Sequence, residues 1–199
     1  MEKTGMNQED FVSKLMKNGF ERAADSFSRM INNKVIGSNS KTKVISNKKD
    51  EDHLPKESGE VYVLTTSMIG QLSGKSYLIL NLEECHEIYR SIFQNKKLDE
   101  AMLEAILLEL DNIVSAAVIS ELVDVLQMEV FGDVPALKKI DAAKLKDYLA
   151  TDYRKDEPTS MIVSTTTFVI GDRNKINPQF IWKLSPKIFE MIHEGLKTK

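Results

Sequence analysis

Two stretches decide how this chain folds: FSRMINNKVIG at residues 27–37 and LVDVLQMEVFG at residues 122–132. Set one over the other at an offset of 95, Phe27 falls on Leu122, Met30 on Val125, Ile31 on Leu126, Val35 on Val130, Ile36 on Phe131 and Gly37 on Gly132. Each reads as the last turns of an amphipathic helix, a polar break and the start of a strand, because apolar spacing changes from helical to extended across the break. A match of this kind at a long fixed offset is the mark of an internal repeat.

Working outward, the order of elements recurs. The first helix begins near Asn7, where Asn7-Gln8-Glu9-Asp10 offers a capping side chain and first-turn acids, and it carries Phe11, Leu15, Phe20, Phe27 and Ile31. Residues 60–69 alternate and are rich in β-formers, and Gly70-Gln71-Leu72-Ser73-Gly74 turns them back into Ser76–Leu80 as a hairpin, followed by a helix over about 82–93. The second half repeats this with a long helix over about 98–126, a short strand at 128–132, a Thr/Val/Ile-rich strand at 161–170, a turn, a return strand at 179–184 and a closing helix from Pro186. The reading is an α+β fold: one domain over 1–199 with pseudo-twofold halves at about 7–95 and 96–197, long helices packed on an antiparallel sheet. The polar, Lys/Ser/Asn-rich stretch at about 38–59, with its charge run Lys48-Lys49-Asp50-Glu51-Asp52, reads as a solvated loop. An insertion is expected at about 135–157, with a helical stretch near Ala142 to Leu149.

Composition limits the function. Among 199 residues, 27 Lys+Arg against 30 Asp+Glu leave a net charge of −3, which argues against nucleic acid as a partner, since phosphate binding needs a concentrated basic surface. A chain of this length buries roughly 70% of its unfolded surface, so it needs no disulfide or metal to hold its core. One cysteine excludes an internal disulfide and any multi-thiolate zinc site. The N-terminal residues lack the apolar centre of a signal peptide, and no run approaches the ~20 apolar residues that span a bilayer. The expectation is a cytoplasmic protein with no membrane contact. His53, His86 and His193 lack metal-ligand spacing and read as solvent-facing; Cys85 reads as a half-buried structural residue. No metal site is expected, and no phosphate-binding loop, dinucleotide fingerprint or nucleophile elbow occurs.

The long helix of the second half is where chemistry could sit. In its nearly all-apolar run from Ala101 to Ile119, a turn of about 100° per residue puts Ala105, Glu109, Asn112 and Ala116 on one stripe roughly 60° wide, with Leu103, Ile106, Leu107, Leu110, Ile113, Val114 and Ala117 on the other side. A carboxylate and an amide therefore stand at i, i+3, with alanines above and below that leave room for an incoming surface. Geometry alone leaves two readings open, a docking site and an ordinary solvated helix face.

The segment Glu109 to Leu126, followed by Glu129-Val130 and Val134-Pro135, resembles the E-x-x-N helix of the CheC/CheX/FliY family of chemotaxis phosphatases. That family is built from a pseudo-twofold duplication of helices on antiparallel strands, so the resemblance extends over most of the chain. It implies that Glu109 and Asn112 form the catalytic pair of an aspartyl-phosphate protein phosphatase acting on a phosphorylated CheY-like receiver in chemotaxis or two-component signalling, with Ala105 and Ala116 contacting the partner. The Mg²⁺ of such a reaction would sit on the receiver, leaving this chain without a cofactor of its own. By analogy with single-site members, a homodimer is implied, and a CheD-like activator is a further candidate partner. The chain departs from the family where Ala105 replaces an Asp or Ser, and where Ile113 and Val114 replace small Gly-rich residues. A reading of another class is a non-catalytic adaptor that binds a response regulator or a flagellar-switch component through the same stripe. At the 95-residue offset Glu109 falls on Lys14 and Asn112 on Lys17, so one site per chain is expected.

Overall fold

A computed structural model describes residues 7–45, 58–94, 96–151, 160–172, 174–185 and 187–197. Helix α1 (Gln8–Ile31) leads into β1 (Val35–Ile45), and the hairpin β2 (Glu60–Gly70) and β3 (Gly74–Asn81) is followed by α2 (Leu82–Phe93). The second half supplies α3 (Glu100–Leu126), β4 (Val130–Gly132), β5 (Ala136–Asp141), a 3-10 turn (Ala142–Lys144), α4 (Leu145–Thr151), β6 (Ser160–Ile170), β7 (Asn174–Ile176), β8 (Gln179–Leu184) and α5 (Lys187–Lys197).

The repeat is visible in the helix ends. Asn7 caps α1 by accepting from the Asp10 amide, and Asp99 caps α3 by accepting from the Met102 amide. Both helices stop at a left-handed residue, Asn32 at φ 50° and Gln127 at φ 53°, which are 95 positions apart.

The strands assemble into one eight-stranded sheet of order β1-β6-β8-β3-β2-β4, with β5 also on β2 and β7 on β6. Its register repeats pair by pair. Val35 opposes Ile170, Ile36 opposes Val169 and Gly37 opposes Phe168, just as Val130 opposes Gly70, Phe131 opposes Ile69 and Gly132 opposes Met68. Past a break in each half the match resumes, Lys41 opposite Thr165 corresponding to Ala136 opposite Thr65, and Ile45 opposite Met161 corresponding to Ile140 opposite Val61. At the centre Leu78 pairs with Phe180, and the sheet order is symmetric about that β3–β8 seam. The first strand of each half thus joins the β-hairpin of the other, so neither half closes its sheet alone.

This geometry corrects two expectations. Residues 38–45 are not loop: β1 runs to Ile45 on the sheet edge, where polar and lysine side chains are what an edge strand carries, and composition there mimics a loop. Residues 46–57 of the expected loop and 152–157 of the expected insertion lie outside the described residues. Residues 136–141 are not inserted either, since β5 is the counterpart of the second part of β1; what the second half adds is the 3-10 turn and α4.

The sheet separates two cores. On one face α1, α2, α3 and α5 bury Phe20, Phe27, Leu107, Leu110, Val114, Ile88 and Ile188 against Tyr62, Leu64, Leu78, Phe168, Phe180 and Trp182. Phe20 meets Phe180 edge-on at 5.9 Å and Phe27 meets Phe168 at 6.0 Å. On the other face α4 places Leu145 and Leu149 over Val61, Val63, Tyr77, Ile79 and Ile181. Lys183 is buried there, donating to the Leu149 carbonyl with its ammonium 5.4 Å from the Tyr77 ring. Cys85 is fully buried rather than half-buried, and its apolar surroundings push its thiol well above the ordinary range. His86 is partly buried instead of solvent-facing, and His53 lies outside the described residues.

Candidate functional site

Helix α3 is apolar through most of its circumference, so the sheet and α1 fix which side is left for solvent. Leu103, Leu107, Leu110, Val114, Val118 and Leu122 are buried, with Ile106, Ile113 and Ala117 packed partly against them. What remains outside is a continuous row: Met102, Ala105, Glu109, Asn112, Ala116 and Ser120, all exposed. Among the described residues, neither the Glu109 carboxylate nor the Asn112 amide has a hydrogen-bond or ionic partner within the chain. Both are therefore open to an incoming group, and the alanines on either side present no bulk.

The strands on either side of the β4–β5 connection both touch α3: Gly132 lies against Ile119, and Lys139 of β5 reaches the Glu100 carboxylate at 3.7 Å. Val134 there is 83% exposed, and Phe131 is 64% exposed. The backbone amide of Asp133 donates to the Ser67 carbonyl at 2.8 Å and holds the turn to β2.

Beneath Asn112 lies a feature that the sequence reading passed over. Asp111 is fully buried; one of its carboxylate oxygens accepts from the Thr66 hydroxyl at 2.7 Å and the other from the Ser115 hydroxyl at 3.2 Å. Burial pushes the Asp111 carboxyl up to about 6, against the opposing effect of those two hydroxyls. The Ser76 hydroxyl continues the chain at 3.1 Å from Ser115. A helical wheel could have found Asp111 and Ser115, which at i, i+4 fall inside the arc of the buried Leu107, Val118, Leu122 and Ile119.

The matching positions on α1 differ. Lys14 and Lys17 are both exposed, and Lys17 sits 3.9 Å from Glu21. Among the described residues no cluster of three His, Cys, Asp or Glu side chains is placed to hold a metal, and no helix is long and apolar enough to cross a membrane.

A duplicated helix-strand-hairpin-helix unit, two long helices on an antiparallel sheet and an outward Glu-x-x-Asn define a CheC/CheX/FliY-like fold. Among solved structures, FliY of Thermotoga maritima matches with a TM-score of 0.67 at 17% identity, covering 96% of this chain and 96% of that one. The FliM middle domain of Vibrio alginolyticus matches with a TM-score of 0.62 at 14% identity, over 92% and 99% of the two chains. The chemotaxis protein CheX of Vibrio vulnificus matches with a TM-score of 0.55 at 13% identity, over 86% and 98%. No family model and no curated protein sequence matches the chain.

Proposed function

We propose that this chain is a protein phosphatase that hydrolyses the aspartyl phosphate of a CheY-like response regulator in chemotaxis or two-component signalling. The observation that carries this reading is the pairing of Glu109 and Asn112, three residues apart and exposed on α3, with the small Ala105 and Ala116 beside them. Acyl-phosphate hydrolysis passes through a loose transition state, so catalysis depends on holding a water in line and neutralising charge more than on a strong base. The Asn112 amide, offering an acceptor and two donors, holds the attacking water and directs its lone pair at phosphorus. The Glu109 carboxylate pairs with a lysine of the receiver and aligns the two proteins. The Mg²⁺ belongs to the receiver's own acidic residues.

A second reading has its own support, since a FliM middle domain matches this fold as well as CheX does: a non-catalytic adaptor that uses the same row to bind a response regulator or a flagellar-switch component. The lifetime of the acyl phosphate on CheY, charged with acetyl phosphate and followed with and without this protein, separates the two. A shortened lifetime supports the phosphatase; binding with an unchanged lifetime supports the adaptor.

A further inference from the structure

Because the chain is duplicated, the first half shows what the second half could have done without its buried acid. At the register of the paired strands and helices, Asp111, Ser115 and Thr66 correspond to Met16, Phe20 and Thr166. Met16 and Phe20 are fully buried and apolar, and the Thr166 hydroxyl lies 3.1 Å from that of Ser40, with no acid involved. At these two helix positions the contact with the sheet is therefore made through carbon alone in the half that carries Lys14 and Lys17. In the half that carries Glu109 and Asn112, the contact is made by a carboxylate and three hydroxyls, linking α3 to β2 through Thr66 and to β3 through Ser115 and Ser76. Among the described residues no cation is hydrogen-bonded to that carboxylate, so the arrangement costs stability relative to the apolar version.

We propose that Asp111 is a positioning residue: held by Thr66 and Ser115, it fixes the rotation of α3 on the sheet and thereby the direction in which Asn112 and Glu109 face the receiver's acyl phosphate. This rests on the phosphatase reading. Apolar contacts are non-directional and let a helix roll or slide by small amounts, whereas a 2.7 Å hydrogen bond to a fixed strand does not. Side-chain atoms stand ~5–6 Å from a helix axis, so a roll of about 10° displaces them by about 1 Å. A misplacement of that size is enough to cost a reaction on the order of 100-fold.

The test compares kcat and KM for dephosphorylation of CheY charged with acetyl phosphate, alongside thermal unfolding. The wild type and Asn112→Ala are measured first: if the wild type does not shorten the acyl-phosphate lifetime the phosphatase reading fails, if Asn112→Ala turns over like an active wild type the assignment of its site fails, and either result overturns this proposal. Given a slow Asn112→Ala, the double variant Asp111→Met with Thr66→Val places the first half's methionine at 111 and removes the Thr66 hydroxyl that the missing acid would leave unpaired. It is expected to lose at least about tenfold in kcat, with KM within about threefold and a melting temperature no lower than the wild type. A merely structural acid would instead lower the melting temperature and leave kcat intact, and that result overturns the proposal. Should the double variant not fold, Thr66→Val and Thr66→Ser decide: Ser keeps the hydroxyl and is expected to keep turnover that Val loses, and equal turnover in the two overturns the proposal.

Discussion

Gly19 of α1 lies directly on Val118 of α3: a β-carbon built onto Gly19 would stand 2.9 Å from the Val118 Cγ2 and 3.0 Å from its Cα. Glycine is a poor helix former, so its presence inside α1 reflects the close approach of the two helices. Gly19→Ala is expected to lower the unfolding free energy by about 1–3 kcal/mol despite the better helix propensity of alanine, because the clash is with backbone as well as side chain. Urea denaturation checks this, and an unchanged or higher midpoint would show that the helices can part without cost.

Asn112→Ala is expected to slow receiver dephosphorylation at least tenfold, about 1.4 kcal/mol of transition-state stabilisation. Its unfolding midpoint should barely move, because an exposed side chain with no internal partner contributes little to folding. Rapid loss of fold, or turnover at the original rate, would make Asn112 structural or idle.

Glu109→Ala is expected to weaken receiver binding more at low ionic strength than at high, since a pair between exposed charges is screened by salt. Titration calorimetry at two salt concentrations reads this directly. Equal weakening at both would argue that Glu109 acts by shape.

Lys14→Ala with Lys17→Ala is expected to leave phosphatase activity within about twofold, as neither ammonium can accept a proton from water. Glu109→Ala with Asn112→Ala should abolish it. Activity surviving in the latter variant would place the chemistry elsewhere on the molecule.

Asp111 should make stability depend on pH in an unusual sense. Its folded value of about 6 lies above the ordinary 3.8, so the folded chain binds the proton more tightly than the unfolded chain does. The Asp111 contribution to stability is therefore fully favourable below about 4 and is lost as pH rises through about 6. Against Asp111→Asn, which cannot titrate, the wild type should fall behind by an amount growing between pH 4 and 6, on the order of 3 kcal/mol at most. Urea unfolding across that range tests it; a difference that is flat, or that grows towards acid, would mean the carboxyl is not raised.

Much of the architecture was legible because it rests on local spacing. The 95-residue register of Phe27 with Leu122 and of Gly37 with Gly132, the capping Asn7 and the hairpin turn at 70–74 are short-range patterns, and the elements form where those patterns lie. The exposed row of Ala105, Glu109, Asn112 and Ala116 followed from helical geometry for the same reason. Edge strands were harder to see: β1 beyond Ser38 and all of β5 have one polar face and little apolar content, so only their pairing with β6 and β2 distinguishes them from loop.

By itself, then, the sequence determined the repeat, the kinds of element and the outward pairing of Glu109 with Asn112, since each depends on residues within a few turns of one another. Only the tertiary structure decided that the first strand of each half crosses to the other half, and that Asp111 meets Thr66, 45 positions away in the chain. The physical reason is that hydrogen-bond pairing across a sheet and the burial of a single carboxyl depend on which distant segment arrives alongside. Local periodicity sets which face of a helix turns inward, and the fold sets what that face finds there.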